Sequence, residues 1–251
     1  MTYLFSIEGR RALKALTRTD TLYAFDFDGT LAPIVADRQA AAVPAAIRRL
    51  LRGVSRAVPT AIVSGRALED LKERVDGTVP YLIGNHGLEG SAVHEILQDR
   101  AQEVCALWRA QLAGRGYAAL RAAGAEVEDK GLTLSIHYPD SPHQRITQAA
   151  VIKVLQTLVP LPRLILGKHV VNVVPPGSPH KGTALLSLMA HLQCHRAVYV
   201  GDDQTDEDVF GLDPGMLLGI RVGRHTGSNA AYYVQERQED MVRLLKILAR
   251  L

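Results

Sequence analysis

Apolar residues along this chain follow two spacings, and the two alternate through the first third. Residues 21–27 form a short, nearly unbroken apolar run, as a strand buried on both faces requires. Pro44 then opens a stretch that reads as a helix to about Val58, with the proline in its first turn. Residues 60–63 predict a second buried strand, ended by Ser64-Gly65-Arg66. Leu68, Leu71 and Val75 recur at helical spacing, and residues 81–84 predict a third strand. The last third repeats this style. Leu185, Leu188, Met189 and Leu192 make a helical stripe, residues 198–200 a buried strand ended by Gly201-Asp202-Asp203, and residues 216–220 a further strand. An amphipathic helix begins at about Asp240. Strands alternating with helices argue for a parallel sheet covered on both faces.

The middle is patterned differently. Leu132, Leu134, Ile136 and Tyr138 alternate with Thr133, Ser135 and His137, which predicts a half-exposed antiparallel strand. Helical stretches flank it, one around Val104, Leu107, Trp108 and Leu112 and one over residues 144–158, and two more strand-like runs surround Gly167-Lys168. The expected architecture is therefore α/β: a doubly wound, Rossmann-like parallel sheet core over residues 1–87 and 176–251, with an inserted α+β cap domain over residues 88–175.

Bulk composition narrows the functional classes. The chain has 251 residues, 47% of them hydrophobic, enough for a sizeable core. A net charge of +3 without any dense Lys/Arg run excludes a nucleic-acid partner from the expectation. Two distant cysteines, Cys105 and Cys194, make no disulfide framework. No signal peptide and no apolar stretch of about 18 residues is found, so a cytoplasmic protein with no membrane partner is expected, most simply a monomer. His191 and His195 have a spacing that can bind zinc on one helical face, but no further ligand accompanies them.

Candidate chemistry sits at the strand ends. Asp26 and Asp28 lie two apart, where strand geometry turns both carboxylates to one side, and Gly29-Thr30 follows, suited to a sharp turn that brings backbone N–H groups to an anion. In doubly wound sheets ligands bind at the carboxyl ends of strands. Asp26, Ser64 and Asp202 each end a different predicted strand, and Lys181 opens a helix after Pro175-Pro176-Gly177. Ser64 has a rival reading as a helix N-cap. Phosphoryl transfer needs positioning and neutralisation of charge. Carboxylates of Asp26 and Asp202, with the backbone carbonyl of Asp28, suit the oxygen preference of Mg²⁺. Clustered with Asp28 and Asp203, these acids would need a cation to ionise together.

The set DFDGTL, VSGR, PPGSPHKG and GDDQTDE, in this order, resembles the four signature motifs of the haloacid dehalogenase superfamily of phosphatases. Within it, DFDGTLAPI, GNHGLEG, VEDKGLTLSIHY and GDDQTDEDVF resemble the trehalose-6-phosphate phosphatases. The resemblance implies an Mg²⁺-dependent phosphatase acting on a small sugar phosphate. It implies Asp26 as nucleophile, forming an aspartyl-phosphate, and Asp28 as general acid and then base. Ser64 and Lys181 would hold the phosphate, with Gly29, Thr30, Gly65, Arg66 and His86 around the substrate. Asp26, Asp28 and Asp202 would bind the metal, supported by Asp203 and Asp206. In the cap, Glu128 and Lys130 match an acid-x-Lys pair that contacts the disaccharide, with Lys168 and Asn172 beside them. Many members carry a Glu where this chain has Asn172. That leaves other sugar phosphates open as substrates, such as sucrose 6-phosphate or a glycosyl-phosphoglycerate. A non-hydrolysing phospho-acceptor module and a sensor without turnover are the alternatives from other classes.

Overall fold

The computed structural model describes residues 1–251 apart from 17–19, 36, 140, 141, 168, 237 and 251. The chain divides into two compact units, Met1–Val93 with Pro179–Leu251, and His94–Ser178. The first unit opens with β1 (Thr2–Tyr3), α1 (Ile7–Leu16), β2 (Thr21–Phe25), α2 (Ala45–Ala57), β3 (Thr60–Val63), α3 (Leu68–Val75), β4 (Tyr81–Gly84) and β5 (Glu89–Gly90). The second unit holds α4 (Glu95–Leu112), α5 (Arg115–Ala122), β6 (Glu126–Asp129), β7 (Leu134–His137), α6 (Gln144–Leu155), β8 (Arg163–Gly167) and β9 (Val170–Val174). The first unit then resumes with α7 (Lys181–His191), β10 (Arg196–Gly201), α8 (Glu207–Phe210), β11 (Leu217–Val222), β12 (Tyr232–Val234) and α9 (Gln238–Leu248).

The first unit is built on one sheet of order β1-β12-β11-β10-β2-β3-β4-β5, parallel except for the β4–β5 pair. Its faces separate by residue parity, as a pleated strand requires. Tyr23 and Phe25 of β2 and Val198 and Val200 of β10 pack with Leu51 of α2, Leu71 of α3 and Leu244 of α9. Leu22 and Ala24, with Ala197 and Tyr199, pack instead with Leu185 and Leu188 of α7 and Phe210 of α8. Helices therefore cover both faces, which explains the unbroken apolar runs. β5 belongs to this sheet, so the segment just after Leu88 is core rather than insert.

The second unit is an antiparallel sheet of order β6-β7-β9-β8. One face packs on helices: Leu134 and Ile136 of β7 and Val171 and Val173 of β9 meet Trp108, Val151 and Leu155. The indole N–H of Trp108 donates to the Pro160 carbonyl at 2.8 Å. One expectation fails here. Thr133 and Ser135 are buried rather than half-exposed. Ser135 can be enclosed because its hydroxyl donates to Asn172 Oδ1 at 2.7 Å, which satisfies a polar group that burial would otherwise penalise. No helix among the described residues is long and apolar enough to cross a membrane.

Candidate active site

β10, β2 and β3 are neighbours, and their carboxyl ends carry Asp202, Asp26 and Ser64 in that order. Asp26 lies one residue beyond β2, yet its N–H still donates to Val200 O at 2.8 Å, so the parallel ladder sets where its side chain starts. Lys181 is the first residue of α7 and is 3% exposed. Its ammonium donates to Asp26 Oδ1 and to Asp206 Oδ1, both at 2.7 Å. Asp206 is fully buried. It also accepts from the Tyr199 hydroxyl at 2.7 Å and from Asp203 N at 2.9 Å. Gly201 leaves room for it, since a Cβ there would strike the Asp206 carboxylate.

Asp26, Asp202 and Asp206 each offer an oxygen within 4.8 Å of the others. Burial pushes the Asp26 carboxyl well above the ordinary range; the Lys181 charge opposes this, and Asp206 and Asp202 add to it. Asp202 is pushed up to about 7, first by burial and then by Asp206 and Asp203. For Lys181 burial works against the charge, but Asp206 and Asp26 more than offset it, so its pKa lies above that of an ordinary lysine. Ionised together, three carboxylates around one ammonium would leave two negative charges uncompensated. An all-oxygen donor set with that excess fits a hard divalent cation.

Asp202 reaches the cluster through a tight fit with the loop after β2. Gly29 has φ +80°, and a Cβ there would collide with the Asp202 carboxylate. Thr30 Oγ1 lies 3.4 Å from Asp202 Oδ1. From β11, the buried Arg221 donates to the Asp202 and Asp203 carbonyls and to Glu207 Oε1, the last at 2.9 Å. Asp203 itself is exposed; its N–H donates to Asp206 Oδ2 and its side chain accepts in return from the Asp206 N–H, a capping box. Asp203 is the N-cap of the short 3₁₀ turn Gln204–Asp206, and this reciprocal pair fixes the Asp206 carboxylate in the cluster.

Asp26 and Asp28 join different networks. The Asp28 side chain is 42% exposed and takes the guanidinium fork of Arg66, Nη2 to Oδ1 and Nε to Oδ2, both at 2.7 Å. Its carboxylate is therefore paired with a cation of its own, as that of Asp26 is with Lys181. Arg66 also donates to Asp70 Oδ2 at 2.8 Å and to Arg38 O at 3.0 Å, and stacks over Phe27 at 5.3 Å from the ring centroid. Ser64 is buried and its Oγ accepts from Arg66 N at 3.2 Å. It does not cap α3, whose N-cap is Ala67. Glu89 does that work instead: its Oε2 accepts from Leu68 N at 2.7 Å. His86 is buried against Gly65, where a Cβ would meet the imidazole Cε1 at 2.5 Å.

In the second unit, Glu128 lies 3.0 Å from His137 Nε2 and 3.9 Å from Lys130 Nζ. Glu128, Ser135, Asn172 and Ile165 share one cross-strand row. Asn172 is engaged there by Ser135 and by Ile165 O at 3.5 Å. Lys168 lies outside the described residues. The zinc spacing lapses, because α7 ends at His191 and Gln193 turns to φ 55°, so His195 is not on that helix.

Four contributors were not legible as site residues: Tyr199, Arg221, Glu89 and the Arg66 link to Asp28. Tyr199 did leave a signal, since a hydroxyl inside a buried apolar run needs a partner. The other three act through contacts distant in sequence.

A family model described as trehalose-phosphatase matches residues 24–213. A probable trehalose-phosphate phosphatase H of Arabidopsis thaliana is 31% identical over 244 residues, covering 89% of this chain and 70% of the relative. A trehalose-phosphate phosphatase of Mycobacterium marinum is 34% identical over 255 residues, covering 96% of this chain and 65% of the relative. Among solved structures, the C-terminal domain of the Candida albicans trehalose-6-phosphate phosphatase superposes with a TM-score of 0.72 at 20% identity, covering 96% of this chain and 95% of that one. A trehalose-6-phosphate phosphatase related protein gives 0.71 at 22% identity, covering 92% and 97%. At these identities the structures speak to the fold.

Proposed function

Because the chain belongs to the trehalose-phosphatase family, we propose that it hydrolyses trehalose 6-phosphate to trehalose and phosphate through a phosphorylated Asp26. The observation that carries this reading is the buried Lys181 ammonium, shared at 2.7 Å between Asp26 and Asp206 at the strand ends. Lys181 occupies Asp26 Oδ1 and leaves Oδ2 to attack phosphorus. As that bond forms, the bond from phosphorus to the sugar oxygen breaks, and Asp28 gives the leaving oxygen its proton. In the second step water loses a proton to Asp28 and attacks phosphorus, and the Asp26–phosphorus bond breaks. Ser64 donates its hydroxyl to a phosphate oxygen, and Lys181 offsets the phosphate charge. Asp26, Asp202 and the backbone carbonyl of Asp28 would hold Mg²⁺, supported by Asp203 and Asp206. When bound it neutralises phosphate charge and lets the carboxylates ionise together. Gly29, Thr30, Gly65 and His86 shape the substrate's surroundings, while Glu128, Lys130 and Asn172 serve sugar recognition.

Phosphate release over a panel of trehalose 6-phosphate, sucrose 6-phosphate, a glycosyl-phosphoglycerate and glucose 6-phosphate tests this. Trehalose 6-phosphate should lead in kcat/KM by about tenfold or more, roughly 1.4 kcal/mol of transition-state discrimination. Equal rates would remove the substrate assignment and spare the phosphatase. A long-lived phospho-Asp26 with no phosphate release would favour the phospho-acceptor reading.

A further inference from the structure

The Asp28 side chain is part-exposed, and free carboxylates at such positions sample several rotamers. Here both of its oxygens are taken by one guanidinium in a two-bond fork. The Arg66 side chain is itself only 10% exposed and is fixed on every side, by Asp70, by the Arg38 carbonyl and by the Phe27 ring. Asp70 is held in turn by Arg74, which donates to its Oδ1 and to the Gln39 and Ala41 carbonyls. The fork uses two of about four lone-pair sites on a carboxylate, so Asp28 is held without being consumed. Resting on the phosphatase reading above, we propose that Arg66 is a positioning residue for the proton-transfer carboxylate of Asp28, rather than a contact to the substrate.

A group that acts only through Asp28 has a distinct kinetic signature. Misplacing the acid slows turnover and leaves substrate binding alone. Arg66→Ala should lower kcat on the sugar phosphate on the order of 10²-fold, with KM within about twofold. Added guanidinium should restore part of the rate, and Arg66→Lys should restore less than a full fork does. p-Nitrophenyl phosphate separates the two steps, because nitrophenolate leaves without a proton. With Arg66→Ala it should still give a burst of about one nitrophenolate per enzyme, followed by slow turnover. In an Asp28→Asn background, Arg66→Ala should add less than about threefold, since residues that act as a unit are not additive. Asp70→Asn, which loosens Arg66 without touching Asp28, should give a smaller fall in kcat at unchanged KM. It serves as the second test if Arg66→Ala folds poorly. A KM raised tenfold or more at unchanged kcat, or full additivity with Asp28→Asn, would overturn the proposal and leave the phosphatase reading intact. An unsubstituted protein that released phosphate from neither ester would overturn both.

Discussion

Tyr199 shows how a single hydroxyl can set the geometry of a charged site. It comes from a strand whose other buried side chains are apolar, is fully buried, and donates to an equally buried Asp206. Burial first, and then the Asp206 charge, hold its pKa well above the ordinary tyrosine value, so it stays a donor across the accessible pH range. Tyr199→Phe strips one donor from a carboxylate that water cannot reach. The expected cost is about 1–3 kcal/mol, read from urea unfolding, together with slower turnover. The reacting acids call for a different measurement. Asp26→Asn should abolish both phosphate release and incorporation of labelled phosphate into protein. Asp28→Asn should keep incorporation and lose release by about 10²-fold or more. Normal turnover in Asp26→Asn would remove the nucleophile assignment.

Among the elements, α3 illustrates stabilisation from outside the helix. Its first turn has no capping side chain of its own, and Glu89 of β5 supplies the missing acceptor. Glu89→Ala should cost about 0.5–2 kcal/mol in thermal or urea unfolding, the range of a lost cap. The same helix carries Asp70. Burial alone would raise its pKa, but Arg74 and Arg66 outweigh burial and hold it below the usual carboxylate value. Folding thus favours the ionised form. That contribution is fully present above about pH 4, the unfolded value, and is lost as pH falls through the lower native value. Unfolding free energy measured from pH 6 to pH 2 should therefore decline less steeply in Asp70→Asn than in the unsubstituted protein. A parallel decline would mean that the Arg66–Asp70–Arg74 chain contributes nothing in solution.

For the whole molecule the decisive quantity is charge balance at the strand ends. Asp202, pushed up to about 7 by burial and its acidic neighbours, binds its proton more tightly when folded than when unfolded. Its contribution to stability is full below about pH 4 and is lost as pH rises through about 7. Metal-free protein should accordingly lose thermal stability across that window. Mg²⁺ competes with the proton for the same oxygens, so its stabilising effect should be larger at pH 8 than at pH 5. Chelation should remove turnover and Mg²⁺ restore it. An unfolding temperature indifferent to Mg²⁺ at pH 8 would remove the cation from Asp202.

The parallel sheet and the strand-end positions of Asp26, Ser64 and Asp202 were legible in the chain because they depend on local pattern. Apolar runs mark strands buried on both faces, helical spacing marks what covers them, and chain order places each strand's carboxyl end. The antiparallel insert was legible for the same reason, though not its first residues, which pair back onto the core sheet through Glu89 and Gly90. Which acids meet was not legible. Carboxylates two residues apart took different cations, Asp28 pairing with Arg66 and Asp26 with Lys181, and Asp206 shares Lys181 while Asp203 braces it through a capping box. Ion pairing in a buried site is decided by which cation the packing delivers within about 3 Å. Here the cations come from residues 38 and 155 positions away along the chain. A one-dimensional pattern names the carboxylates; only the folded sheet, by bringing β10, β2 and β3 side by side and seating Lys181 at the start of α7, assigns each one its partner.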